Sequence, residues 1–375
     1  MLVTILSVVL FVVGAAMAAT TTLSAILTVV VPRGVSLRLT RQVFTVMRKL
    51  FRMLASRAGT YEERDRIMAA YGPLTLLVLV VVWLVLVGTG YGLMYWALGA
   101  RGPKVAFTLS GSSLFTLGFM VPHALSTTAL AFSESTLGLG LLAILISYLP
   151  SIYGAFSRRE AAVTALNVRA GTPPTAVEML ERYARINGLG QLSDLWTTWE
   201  SWFADIEETH SSQPALVFFR SPHSKRSWVT AAGAVLDAAS IATSSIEGEH
   251  VEAQLCIRAG YLALRRIAAF YKIPFDPDPD PTDPISVTRQ EFEQVYDRLL
   301  EAGVPLKPDR ERCWQDFAGW RVNYDTVLLS LAGLVMAPYA PWSSDRSILR
   351  RPRPAGSRLR SLRRGQRPAL TRRTG

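Results

Sequence analysis

Leu74–Leu98 is 25 residues long and contains no charged side chain. As a helix it measures about 37 Å, against a bilayer hydrocarbon core of about 30 Å. A run of this kind has two stable fates: the middle of a very large apolar core, or the interior of a membrane. Two further runs decide for the membrane. Leu2–Val31 is uncharged up to Pro32, and Thr136–Phe156 is uncharged up to Arg158-Arg159. Three crossings are therefore expected. For Leu2–Val31 a cleaved signal peptide is the alternative, with small residues at Ala15-Ala16-Met17-Ala18. The absence of a basic n-region and the length of the apolar run favour a first transmembrane helix.

The charge between the runs sets an expected orientation. Arg33–Pro73 carries nine Lys/Arg, whereas Gly99–Ser135 carries only Arg101 and Lys104. The positive-inside rule then places the first connection in the cytoplasm and the second outside. The amino terminus is outside and everything after Arg158-Arg159 is cytoplasmic. Within the basic segment Leu39, Val43, Met47, Leu50 and Leu54 recur at helical spacing, widened by Phe44 and Phe51, with arginines on the other face. Such a helix lies along a membrane surface against anionic lipid, or packs on a soluble domain as a coupling helix. Gly88 and Gly92 form a small-xxx-small pair that permits close helix approach.

Between the second and third runs lies Ser110–Pro122, SGSSLFTLGFMVP, uncharged and too short to cross. A short apolar helix followed by a few returning residues is the layout of a re-entrant loop, tolerated at membrane depth only where protein or a watery path surrounds it. Thr116-Leu117-Gly118-Phe119 resembles the Thr-Val-Gly-Tyr of the potassium-channel pore family, and the stretch from Phe115 through Glu160 resembles the two-transmembrane potassium-channel-like proteins of actinobacteria. The family signature continues with a second glycine and usually an aspartate; Met120 and Val121 stand there in this chain. The resemblance implies a homotetramer around a central path and passive conduction of potassium or another monovalent cation, with no cofactor. It implies that Thr116, Leu117, Gly118 and Phe119 supply filter carbonyls. Phe107–Phe115 would be the pore helix, with Ser112 and Ser113 bonding behind the filter or satisfying their own helix. Gly138, Gly140 and Pro150 would soften or kink the inner helix for gating, helix packing being the alternative for the glycines. Glu134 is expected at the outer mouth, where it would attract cations or stand as a lone exposed carboxylate.

The remainder reads as a helical cytoplasmic domain. Thr175 followed by Glu178 marks a helix start. Trp196, Trp199, Trp202 and Phe203 form an aromatic stripe expected to be core, and Ala231–Ile246, Val251–Tyr271 and Arg289–Ala302 are further helices. Pro274–Pro284 alternates proline and aspartate and is expected as a stiff linker; Pro281 and Val287 stand where a calcium loop needs glycine and glutamate. Thr326–Trp342 is apolar but interrupted by Pro338 and Pro341, which favours a buried helix over a fourth crossing. The formal charge of +11 belongs to the tail: Arg346–Gly375 has eleven arginines and no acid, and the rest is neutral by count. The charge is thus no sign of nucleic-acid binding, although the tail and the Arg33–Pro73 segment both suit anionic lipid.

Nothing in the sequence points to catalysis. The histidines His123, His210, His223 and His250 have no metal-ligand spacing, and no nucleotide or hydrolase motif occurs. Cys256 and Cys313 are expected as free thiols. The sequence reading is an all-α membrane protein of three transmembrane helices with a re-entrant pore loop and a helical cytoplasmic domain, divided at 1–32, 33–73, 74–156, 157–345 and 346–375. A cation channel is the expected function. The rival is a non-conducting scaffold or sensor that acts through its cytoplasmic part.

Overall fold

The structure, a computed structural model, describes residues 2–29, 31 and 38–346. It is all-helical, with no strand among the described residues. Three helical stretches are long and apolar enough to cross a membrane: Thr4–Val29, Tyr61–Ala97 and Leu125–Ala170.

The first span belongs to α1 (Leu2–Val29) and the second to α4 (Tyr71–Ala97). They meet through Gly14 and Gly90. A Cβ on Gly14 would lie 2.4 Å from the Gly90 carbonyl oxygen, and one on Gly90 2.6 Å from that of Gly14. Only hydrogen fits on either side, so the two backbones touch. Ala18 and Val87 are buried at this seam. The pair expected from the sequence, Gly88 and Gly92, instead faces α5 (Pro103–Leu114), a half-length helix between the second and third spans. The reason is the helical period: Gly90 lies about 160° around the axis from either neighbour, hence on another face.

The basic segment forms two helices, α2 (Arg38–Ala55) and α3 (Tyr61–Ala69). Thr60 and Glu63 bond reciprocally at the start of α3 as a capping box. The apolar stripe of α2 divides. Phe44 and Phe51 pack on Tyr71 of α4 at centroid distances of 6.4 and 5.7 Å, while Val46, Leu50, Met53 and Leu54 stay exposed. One side of the apolar stripe of α2 therefore packs on the protein and the other is left exposed.

The third candidate span lies in α6 (Leu125–Ala170), one unbroken helix of 46 residues. This corrects the expected end near Phe156. Its length is about 69 Å, roughly twice a hydrocarbon core. Val163, Leu166 and Ala170 at its far end belong to the core of the C-terminal unit, so the boundary expected at residue 156 falls inside a helix. Arg159 is fully buried in the junction. It donates to the carbonyls of Leu216 at 2.9 Å and Phe219 at 2.6 Å, contacts His210 Nε2 at 3.2 Å and lies over the Phe156 and Trp228 rings. The sequence treated Arg158-Arg159 as one stop signal. Arg158 is indeed exposed, but Arg159 turns inward and ties α6 to the segment 214–219.

The C-terminal unit comprises α7 (Ala176–Arg185), α8 (Leu192–Ser212), α9 (Trp228–Ser245), α10 (Val251–Phe270), α11 (Arg289–Glu301), α12 (Arg310–Arg321) and α13 (Asp325–Val335). Helix α9, built of alanine, serine and valine, is buried along nearly its whole length and forms the axis. Gly260 lets α10 close on it: a Cβ there would meet Leu236 at 2.5 Å. Trp196, Trp199, Trp202 and Phe203 are core, as their spacing suggested. Buried Arg321 is neutralised by Asp237 and Asp325, and Tyr324 donates to Asp237 at 2.9 Å. One expectation changes. The Pro/Asp segment is anchored, since Arg265 donates to the Pro277 carbonyl at 2.8 Å and Phe275 and Ile285 pack on the core. The apolar stretch Thr326–Trp342 contains the expected short buried helix as α13, which ends at Val335, where Met336 closes it in the left-handed region at φ 52°. Arg346 pairs with Glu291; the rest of the expected arginine tail lies outside the described residues.

Candidate functional site

Helix α5 starts at Pro103, whose fixed φ suits the first turn of a helix, and runs twelve residues to Leu114, a residue earlier than expected. At about 18 Å it is shorter than a hydrocarbon core is thick. Three glycines seat it. Gly92 receives the Phe107 ring, where a Cβ would meet Phe107 Cδ1 at 2.7 Å, and Gly88 receives Leu114 and Ser110. From the other side, a Cβ on Gly138 of α6 would lie 2.2 Å from the Leu114 carbonyl oxygen. Gly138 is thus a packing glycine at the carboxyl end of α5. Gly140 has nothing within 4 Å of a Cβ among the described residues, and α6 continues through Pro150, which is exposed.

The chain leaves α5 by a tight turn. Thr116 N donates to the Ser113 carbonyl at 3.0 Å and Leu117 N to the Ser112 carbonyl at 2.8 Å. This pair of bonds closes a helix in the Schellman manner and requires a left-handed residue between. Thr116 takes that place at φ 55°, where glycine is usual, and Gly118 follows at φ 68°. The serines then hold the return segment. Met120 N donates to Ser112 Oγ at 3.1 Å, and Ser135 Oγ of α6 donates to the Ser113 carbonyl at 2.7 Å. Ser112 therefore acts behind the return segment through its hydroxyl, and Ser113 through its carbonyl.

Thr116, Leu117, Gly118 and Phe119 are all exposed in the single chain. Leu117 and Phe119 are 62% and 63% exposed, Val121 69% and Phe132 71%. One chain thus brings the four expected filter residues together on one short segment but encloses none of them. Gly138 belongs to the same site through Leu114; Gly140 and Pro150 do not touch it.

Glu134 corrects its expected position at the outer mouth. It is fully buried behind α5, with Ser110 Oγ donating to Glu134 Oε1 at 2.5 Å and Tyr95 of α4 beside it. Ser110 Oγ also lies 2.8 Å from the Gly88 carbonyl oxygen, so one hydroxyl links α4 and α6. The sequence reasoning missed this link, although a signal existed. Glu134, Gly138 and Leu141 recur at helical spacing, and all three are buried against α5 and α4.

Among the described residues no group of three or more His, Cys, Asp or Glu could hold a metal ion. Cys256 and Cys313 are buried free thiols. Compared with protein-family models, curated proteins and solved structures, the chain matches none.

Proposed function

We propose that the chain is one subunit of an oligomeric membrane assembly that passes monovalent cations along a path lined by Thr116–Phe119. The observation that carries this reading is the half-length α5, wedged between two spanning-length helices and ending in an exposed non-helical return. Irregular backbone beside apolar spans is stable in a membrane only when protein or water covers it. In a single chain nothing covers it, so further copies around an axis complete the site. Four copies follow from the resemblance to the potassium-channel pore family. Nine basic residues in Arg33–Pro73 support a cytoplasmic α2, and with it an outside return segment and a cytoplasmic C-terminal unit.

One observation favours the rival reading, a non-conducting scaffold that works through the C-terminal unit. Met120 stands at the second-glycine position, packs half-buried against the core of the spans and bonds to Ser112, and its φ is not positive. A filter that needs a left-handed residue there is not formed by this backbone.

The test is cation flux into liposomes carrying the purified oligomer, potassium against sodium, with protein-free liposomes as the blank. Flux above the blank is expected, with weak preference between the two ions. Silence from protein shown to be assembled refutes conduction and leaves the scaffold. Met120→Gly separates the cases further, since a weakened filter gains potassium preference and a scaffold gains nothing.

A further inference from the structure

A cavity of about 280 Å³ lies where the spans meet the C-terminal unit. Its walls come from the end of α1, one face of α2, the first turns of α4, the middle of α6, the segment 214–218 and the end of α10. Three cations face it: Arg41 and Arg48 of α2, and Lys272 just beyond α10. Arg41 and Arg48 are seven residues apart, two helical turns, and so lie on one face. No Asp or Glu lines the cavity among the described residues, and α2 contains none. Arg48 and Lys272 form no ion pair among the described residues. Burial, and then neighbouring Arg52, push the Arg48 guanidinium below its ordinary value. The remaining lining is largely aromatic, with Phe44, Phe218, Phe270 and the rings of Tyr71, Tyr148 and Tyr271.

A half-buried arginine facing an acid-free hollow is costly unless an anion enters. Lys272 strengthens the argument. It is held at φ 55° at the end of α10, bonding back to Ala269 at 3.0 Å, in the position where helices favour glycine. The chain places a cation there despite the backbone strain. Arginine recognises planar or tetrahedral oxyanions through paired N–H donors, and lysine adds a point charge. The volume is near the low end of small-molecule sites, about 300 Å³, which suits a headgroup better than a whole lipid. Leu76 and Tyr148, which also line the cavity, sit on two of the candidate spans, so an apolar tail leaving it would run along membrane-facing helices.

We infer that this cavity binds the phosphate of an anionic phosphate ester carrying an apolar tail, with Arg48 and Lys272 as its principal cations. The bound ester bridges α2, the spans and the C-terminal unit. Two sources share the chemistry, a membrane phospholipid headgroup and a soluble phosphate ester, and the site is independent of whether the assembly conducts.

The experiment is thermal unfolding of the full chain in neutral detergent. The probes are dihexanoyl phosphatidylglycerol, dihexanoyl phosphatidylcholine and glycerol phosphate, titrated separately. Phosphatidylglycerol is expected to raise the melting temperature saturably and phosphatidylcholine to leave it unchanged. Arg48→Gln and Lys272→Gln should each weaken the phosphatidylglycerol affinity at least about tenfold, the scale of one lost charge-assisted contact. Lys49→Gln, on the exposed side of α2, should change it less than about twofold. Lys272 is exposed, so its variant carries the test if Arg48→Gln does not fold. Glycerol phosphate matching phosphatidylglycerol assigns the site to a soluble ester and overturns the apolar tail. Equal response to phosphatidylcholine, or full affinity in both variants, overturns the anion site.

Discussion

Gly138 and Gly140 offer a paired test of how α5 is held. In Gly138→Ala the new methyl carbon would sit 2.2 Å from the Leu114 carbonyl oxygen, whereas ordinary contact begins at 3.4 Å. The shortfall is about 1 Å, and the obstructing atom is backbone, which cannot rotate aside. Helices α5 and α6 must separate by that amount, an overpacking cost of about 1–3 kcal/mol. Replacing glycine by alanine in a helix returns about 1 kcal/mol. The expected net effect is a destabilisation of up to about 2 kcal/mol. In Gly140→Ala the site is open, so only the helix-propensity gain remains and the expected change is a stabilisation of up to about 1 kcal/mol. Melting temperatures of the two variants in detergent should therefore move in opposite directions from the parent. Equal shifts of the same sign would refute the close approach of α5 to α6. If Gly140 were instead a hinge whose bending matters, Gly140→Ala would change flux as strongly as Gly138→Ala.

Thr116→Gly removes a β-branched residue from the left-handed region and should stabilise the chain by roughly 1 kcal/mol, since that region costs about 1–2 kcal/mol for an L side chain; a lower melting temperature would refute the Schellman geometry. His210 is held neutral by burial and by Arg159, well below its ordinary value of 6.5. The unfolded chain takes up this proton more readily than the folded one. Stability is therefore complete above pH 6.5 and falls as pH drops below it, by up to about 1.4 kcal/mol per unit. Denaturant titrations at pH 7.5, 6.5 and 5.5 should show this slope in the parent and its reduction in His210→Gln, and identical slopes would refute it.

The spans were legible because an uncharged run of about 25 residues has few alternatives. The tryptophan stripe of α8 was legible for a related reason, as large apolar groups at helical spacing must be covered. What escaped were contacts whose meaning depends on a partner helix. Gly88 and Gly92 read as a helix-contact pair, yet they meet the short α5, and it is Gly90 between them, outside that pattern, that meets α1. Glu134 reads as an exposed acid because its concealment comes from Ser110, 24 residues away. Arg158 and Arg159 read alike because their opposite directions depend on the segment 214–219. Charge and hydropathy are properties of a run, whereas burial of one polar group is a property of a pair.

The unbroken α6 makes a rod of two distant contacts. From Gly138, pressed on the end of α5, to Val163 in the C-terminal core, the axis covers about 37 Å. A rotation of about 5° around the Gly138 contact moves the far end by about 3 Å. Because Pro150 has no N–H to give the Ile146 carbonyl, the rod has one compliant link, midway along it. A displacement of the C-terminal unit would therefore reach the segment after α5 as leverage, through a rod with one compliant link.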